Sequence, residues 1–553
     1  MGKNTTKLLS DVPAIRWTAL ALLAFAIFSS YLFYDILSPL KSLMETSRGW
    51  DSDVFGVFVG AGSFLNVFIF FLIFAGIILD KKGVRFTAIL SGLLMLAGAI
   101  ITWYSITEMF AGTNFQRWFN NNLNYIPLFD ELGVSPFYKG MPSSAKLASV
   151  GFMIYGCGAE MACVTVMRGI VKWFKSKELA LAMGLDMAVG RLGVATCMIF
   201  SPLIAKADIF GGANASHSAA FGIILLIITL MMFIVYSFMD KKLDAQVGEV
   251  KKNDEPFRVR DIVKILTNSG FWLVALLGAT YYASIITFQK YAVNILECNL
   301  IFTPLSEGSF WASGAVITVQ YLIMLAITAA AFSSSFCPKN LKSSLTACSA
   351  FLLMAVCFIS YKQQSAGAIF SVFPLFSIGI TPLLGSFIDR KGKALTMLMF
   401  GAILLIVCYS TLIFLLPLFK GHAAGGFVLV YAVIILLGAS YTFVPTSLWS
   451  SLPKLVDKKV VGTAYALILW IQNIGLWLVP ILIGKILISS NTDVVEKLQA
   501  GAITSSEAAV MYDYSRPLII LACLGISAFA IGFILKAINR KKALGLELPN
   551  YTE

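Results

Sequence analysis

The feature that most constrains this chain is a series of apolar runs, each long enough to cross a lipid bilayer as a helix. A crossing helix needs about 20 predominantly apolar residues. Runs of that kind lie near 17–38, 54–79, 84–106, 147–171, 178–203, 218–238, 270–292, 309–332, 343–361, 366–388, 395–417, 424–447, 460–486 and 515–537. They make fourteen crossings, an even number, which puts both chain ends on one side. None reads as the alternating strand, roughly ten residues long, of an outer-membrane barrel. With 58% of residues hydrophobic and 13% charged, a soluble globule is excluded too. The expectation is an all-α polytopic membrane protein whose first run, starting at Trp17, is a retained helix without a small-residue cleavage site.

A net charge of +13 can signal nucleic-acid binding, but here the cations sit in short loops between the runs. Lys81, Lys82, Arg85, Arg168, Lys172, Lys175 and Lys177 fall on one set of connections, as do Arg390, Lys391, Lys393, Lys454, Lys458 and Lys459. By the positive-inside rule that set, with both termini, is cytoplasmic, and no nucleic-acid partner is expected. The nine cysteines are mostly isolated within runs, and His217 and His422 lie in loops. No metal spacing, disulfide framework, cofactor motif or catalytic nucleophile follows, so an enzyme is not expected. No acidic residue precedes Leu8 and Leu9 to make a sorting signal, which points to a plasma membrane, specifically a bacterial inner membrane.

Two long loops and one repeat organise the chain. Residues 107–146 form an aromatic, polar outer loop, and residues 239–269 a linker of mixed charge ending in a short amphipathic surface helix. The turn after the second run reads GIILDKKGVRF, with Asp80 and Arg85; the turn before the eleventh reads GSFIDRKGKAL, with Asp389 and Lys393. Glycines permit tight turns, and the acid and cations of each can pair across two halves in one conformation and part in another. Occurring once per half, the turn marks an internally duplicated transporter, with a first half over 1–238 and a second over 270–553.

Within this frame Glu160 and Arg191 stand out, because an ionisable side chain deep in lipid is costly and by default functional. Glu160 lies twelve residues before Lys172 and Arg191 fourteen after Lys177, on either side of one short turn. At 1.5 Å rise per residue both sit roughly 18–21 Å from that turn, at one depth. Helix axes about 8–10 Å apart let both face one cavity. Either the two satisfy each other and pin their helices, or they clamp a ligand of both signs, the pair closed when empty and opened by substrate being a mixed case. A dipeptide is such a ligand: its ammonium needs an anion and its carboxylate a cation, which Arg meets with a planar fork. An aromatic and amide shell is expected from Tyr31 and Tyr34 on one face of the first helix, Tyr281 and Tyr282 at the repeat-related place, Tyr441 and Trp449, and Tyr465, Gln472 and Asn473. Asp35, at the outer end of the first helix, is a gating candidate with the Asp80, Arg85, Asp389 and Lys393 turns.

The two glycine turns resemble the loop motif of the major facilitator superfamily, whose body is twelve helices in two six-helix halves. The resemblance implies that fold here, with the surplus in the second half, about 309–361, as an inserted two-helix hairpin, peripheral and lipid-facing. Strings including RWTALALLAFAIFSSYLFYD, FKSKELALAMGLDMAVGRLG, ATYYASIITF and GASYTFVPTSLW are similar to dipeptide-transporting members of that superfamily. In those members the acid of GxGxE, here Glu160, and the Arg of the fifth helix, here Arg191, are implicated in holding the two ends of a dipeptide. Two departures matter. Where many members carry an arginine eight residues before that acid, this chain has Phe152, which leans toward facilitated diffusion, and Asp186 is an extra buried acid in place of an amide. Glu160 or Asp186 is the proton site if protons are coupled. The expectation is a monomeric alternating-access carrier of dipeptides, by uniport or proton symport. Its rivals are a carrier of small organic anions on the same fold and a membrane sensor that binds peptide without moving it.

Overall fold

Lipid offers the backbone no hydrogen-bond partner, so a crossing segment must satisfy its own N–H and C=O groups, and an α-helix does so within one segment. The structure, a computed structural model, describes residues 8–174, 178–207, 212–247, 265–306, 308–334, 337–419, 423–456 and 461–549, and among them no strand occurs. The first half comprises α1 (Pro13–Tyr34), α2 (Lys41–Arg48), α3 (Ser52–Phe68), α4 (Phe71–Ser105), α5 (Asn114–Asn122), α6 (Ser143–Phe174), α7 (Leu179–Ala205) and α8 (Ala215–Val247). The second comprises α9 (Ser269–Asn299), α10 (Gly314–Ser333), α11 (Lys339–Lys362), α12 (Ala366–Phe370), α13 (Val372–Lys391), α14 (Ala394–Ser410), α15 (Ala423–Ser451), α16 (Val461–Ser490) and α17 (Ser515–Lys542). Among the described residues thirteen helices are long and apolar enough to cross a membrane, and α3 is a shorter apolar one. α4 is interrupted at Gly83 (φ 78°, ψ 171°), so α3 with the first part of α4 makes the second crossing and the rest of α4 the third. That yields the fourteen runs read from the sequence. The second crossing bends where Phe70 takes φ 54°.

Each glycine turn contains one left-handed glycine, Gly83 (φ 78°) and Gly392 (φ 72°), conformations that a side chain strains. Gly76 and Gly385 are instead helical, with open space where a Cβ would point. Glycines also let helices of the first half touch. A Cβ on Gly156 of α6 would lie 1.8 Å from the Gly62 carbonyl of α3, and one on Gly98 of α4 would lie 2.3 Å from the Tyr155 nitrogen. Small residues at such crossings bring backbones together without a hydrophobic driving force.

We call the face carrying the Gly83 and Gly392 turns inner and the opposite face outer. The halves meet toward the outer face. α3 lies on α16, with Gly56 and Gly60 against the carbonyls of Pro480 and Trp477, and α1 meets α9 through buried ions described below. Inward of this region Gly184 of α7 and Gly379 of α13 look onto open space. Tyr31, although in the body of α1, is 40% exposed. Open space therefore lies on the inner side of this closure.

Both lateral seams between the halves are covered. On one side α10 packs on α7 of the first half and α13 of the second, burying Val316, Gln320, Met324 and Ile327. The hairpin is peripheral, as expected, but bridges the halves, and α11 beyond it leaves Phe351, Met354 and Phe358 exposed. On the other side the outer loop descends: Phe129 packs on Phe64 (5.3 Å between centroids), Phe68 (4.7 Å) and Trp477 (6.4 Å), and Lys485 donates to the Gly133 carbonyl. The surface helix expected at the end of the linker falls on 248–264, outside the described residues.

Candidate functional site

Glu160 sits on the face of α6 turned toward the second half. Its Oε1 accepts from the Asn473 Nδ2 at 3.1 Å, and Asn473, 1% exposed, also bonds the Leu469 carbonyl and meets Asn66 of α3 at 3.5 Å. Arg191, 7% exposed on α7, reaches across as well. Its guanidinium donates to the Ser377 carbonyl at 3.1 Å, to the Thr381 hydroxyl and to the Tyr441 carbonyl at 3.5 Å, and lies 5.1 Å from the Tyr441 ring centroid. Neither of these two described residues pairs with the other: each is held by uncharged groups of the opposite half.

Tyr31 stands within electrostatic reach of Glu160, Cys163, Tyr282 and Tyr441, and Tyr282 within reach of Arg191, so these side chains share one space. The second half contributes an aromatic chain to that space. Trp449 Nε1 donates to the Tyr282 hydroxyl at 3.1 Å, and the Tyr465 hydroxyl donates to the Trp449 carbonyl at 3.2 Å. Two expected members turn elsewhere. Tyr281 is fully buried within the second half, its hydroxyl bonded to Ser440 at 2.8 Å, and Gln472 points at Gly278 of α9. Adjacent helical positions diverge by about 100°, so Tyr282 and Asn473 can face the cavity only if Tyr281 and Gln472 do not. Tyr34 belongs to the outer closure, since its ring lies 3.6 Å from Lys290 Nζ and stacks on Phe152 at 5.5 Å.

Asp35 and Lys290 form an ion pair at 2.7 Å between α1 and α9, both side chains 1% exposed. Gln289 adds a bond to Asp35 at 2.7 Å, and Lys290 one to the Tyr34 carbonyl at 2.5 Å. Further out, Ser42 donates to Glu297 at 2.6 Å and Asn294 to Ser42 at 3.0 Å. Phe152 fills its place by stacking on Tyr34, Phe58 and Tyr155. At the inner face Arg85 pairs within its own half, with Asp240 at 3.8 Å and Asp244 at 3.4 Å. Lys393 (φ 63°) ties its turn to the Glu547 carbonyl through its backbone N–H at 2.9 Å, and Asp80 and Asp389 have further partners. Asp186 is 7% exposed, and its Oδ1 is buried without a hydrogen bond.

Sequence reasoning missed Lys290, Gln289, Ser377, Thr381 and Asn66. For Lys290 a signal existed, a lone cation within an apolar run at the place that mirrors Asp35 in the other half. Ser377 and Thr381 carried none, since hydroxyls are common in membrane helices and bond their own backbone, as Thr381 does to the Ser377 carbonyl at 2.7 Å.

The pattern of the Major Facilitator Superfamily matches residues 132–480. Among curated proteins, the lysosomal dipeptide transporter MFSD1 of Mus musculus is 22% identical over 508 residues, 91% of this chain and 86% of that protein. The protein of the same name from Danio rerio is 23% identical over 487 residues, 85% of this chain and 80% of that one. Solved structures with the same fold include the nucleoside transporter NupG (TM-score 0.54, 13% identity, 94% of this chain and 98% of that one). A D-xylose-proton symporter matches equally (TM-score 0.54, 12% identity, 94% and 98%). Lysosomal relatives lend no support to a bacterial inner membrane.

Proposed function

This chain belongs to the Major Facilitator Superfamily and is a multi-pass membrane transporter, not an enzyme, and we propose that it carries dipeptides by alternating access. Glu160 takes the substrate's ammonium and Arg191 its carboxylate. The observation that carries this reading is that the two opposite charges do not pair, each held instead by amide, hydroxyl or carbonyl groups of the opposite half. A substrate exchanges these bonds, each ionised on one side only, for hydrogen bonds between opposite charges, the Arg–carboxylate one bidentate. Had the two formed a buried ion pair, removing either partner from the other would cost about 3–5 kcal/mol before any substrate contact was made. Tyr31, Tyr282, Tyr441 and Trp449 provide walls that grip side chains without selecting one shape. The relatives named as dipeptide transporters support the same substrate class.

Phe152, packed in its aromatic stack where other members keep an arginine, favours uniport, and the charge bias of the loops argues for cytoplasmic termini and an inward-open cavity facing the cytoplasm. The test is uptake of labelled Ala-Ala by proteoliposomes holding the purified chain. Glu160→Gln and Arg191→Ala should each lower kcat/KM at least about tenfold, the value of one lost charge-assisted bond. N-acetyl-Ala-Ala should be indifferent to Glu160→Gln, and Ala-Ala amide to Arg191→Ala. Normal uptake by both variants removes the clamp, and binding without uptake makes the chain a sensor.

A further inference from the structure

We infer that the inner ends of α14 and α17 hold the headgroup of an anionic phospholipid, with its acyl chains along the lipid-facing sides of both helices. The two helices pack closely, Gly525 and Gly532 of α17 lying against Leu405 and Leu398 of α14. Toward the inner face Lys536 Nζ donates to the Thr396 hydroxyl at 2.7 Å, which sets the level of one helix against the other. Lys393 and Arg540 lie three and four residues inward of that bond, roughly 4.5 and 6 Å along the two helices, so they end at one depth. Lys541 adjoins Arg540, and all three residues are exposed.

The internal repeat shows what this place lacks. In the first half the third crossing begins near Arg85, and α8, which packs on it, supplies Asp240 at 3.8 Å and Asp244 at 3.4 Å. At the matching place in the second half α17 carries Arg540, Lys541 and Lys542 instead, near Lys393 of the glycine turn. Among the described residues these four cations pair with no acid. The tail brings Glu547 to the turn, its carbonyl accepting from the Lys393 N–H at 2.9 Å, but its carboxylate goes to Thr396 at 3.0 Å and Lys536 at 3.9 Å. Like charges gathered without a counter-ion repel, and an anion from outside the chain relieves them. The lipid-facing surface says which anion. Ile519, Ile526 and Phe533 are exposed at seven-residue spacing on α17, and Arg540 continues the series. Phe400 and Val407 are exposed on α14, and Lys393 precedes Phe400 by seven. Residues seven apart share a helix face. Each apolar stripe thus ends inward in a cation, which suits acyl chains below a charged headgroup, and basic clusters just beyond a membrane helix attract anionic lipid. A soluble phosphate would engage the cations and leave the stripes unused.

The experiment is native mass spectrometry of the full chain in detergent, titrated with phosphatidylglycerol or with phosphatidylcholine of the same acyl chains. The unmodified chain should bind phosphatidylglycerol at least about tenfold more tightly. The triple variant Lys393→Gln, Arg540→Gln, Lys541→Gln should cut that preference to about twofold or less. Lys81→Gln with Lys82→Gln, exposed cations on the first glycine turn, should keep it. Glycerophosphate at equal concentration should not displace the lipid. No preference in the unmodified chain, a preference that survives the triple variant, or one lost equally in the first-turn variant overturns the site. Displacement by glycerophosphate overturns the lipid and leaves a soluble phosphate in its place. Should the triple variant not purify as a single species, a photoactivatable phosphatidylglycerol on the unmodified chain decides: adducts on peptides covering 393–407 and 526–541 support the site, and adducts spread over other helices overturn it.

Discussion

Lys290→Met should unlatch the outer face. In the closed arrangement Asp35 and Lys290 are 2.7 Å apart with each side chain 1% exposed, so neither charge is solvated except by the other and its few bonds. Removing the ammonium leaves a buried carboxylate with, among the described residues, only Gln289 (2.7 Å) and Ser38 (3.2 Å). Breaking a buried pair from one side costs about 3–5 kcal/mol. That cost falls on the closed state alone, because separating α1 from α9 returns Asp35 to water. Taking the lower figure, about 3 kcal/mol shifts the closed-to-open ratio by about 150-fold. Hydrogen–deuterium exchange read on peptides covering 31–40 and 286–297 follows this directly, since both are shielded where the halves meet. Lys290→Met should exchange markedly faster there than the unmodified chain, with inner segments of α1 unchanged. The double variant Asp35→Asn with Lys290→Met removes the stranded charge and should return most of the protection. Unchanged exchange in the single variant, or a double variant that exchanges as fast as the single, refutes the latch.

Two further outcomes follow from packing. Gly156→Ala places a methyl group 1.8 Å from the Gly62 carbonyl, between two backbones that cannot yield separately; overpacking of this kind costs about 1–3 kcal/mol, so the melting temperature should fall by several degrees, while Gly76→Ala, facing open space in a helix, should leave it level or higher. Gln320→Leu should raise the melting temperature, because Gln320 is fully buried with both amide atoms unpartnered and removing a stranded polar group recovers about 1–3 kcal/mol; a clear fall would mean the amide has a partner in a conformation the protein visits.

Much of the architecture was legible because a bilayer imposes one length on every crossing. The fourteen runs and the glycine turns were readable from apolar length and residue type alone, as left-handed Gly83 and Gly392 illustrate. The bend at Phe70 was not, since no proline or glycine adjoins it and tertiary contacts hold it, among them Phe70 stacked on Trp470 at 5.2 Å. Within the candidate site, depth was readable and direction was not. Counting residues placed Glu160 and Arg191 together, but choosing Tyr282 over Tyr281, or Asn473 over Gln472, requires knowing where the neighbouring helices stand. On the hairpin Gln320 alone marked the face that, with Val316 and Met324, lies along the seam between halves, and so few polar groups had favoured a lipid-facing place.

That seam links binding to motion. Glu160 and Arg191 both belong to the first half, yet among the described residues the bonds to their charged groups come from the second: Asn473 on α16, Ser377 and Thr381 on α13, and Tyr441 on α15. On the reading proposed above, a dipeptide that took over those charges would release three helices of the second half from the first. The outer latch, Asp35 with Lys290, touches none of these groups and stays closed until the halves rock. Meanwhile α10 across one seam and Phe129 across the other keep lipid out of the gaps that rocking would open. On that reading substrate would enter the force balance as a replacement for inter-half bonds rather than as an addition to them. Such an exchange would lower the barrier to rocking in the loaded carrier, while the empty one stays held by its own amides and hydroxyls.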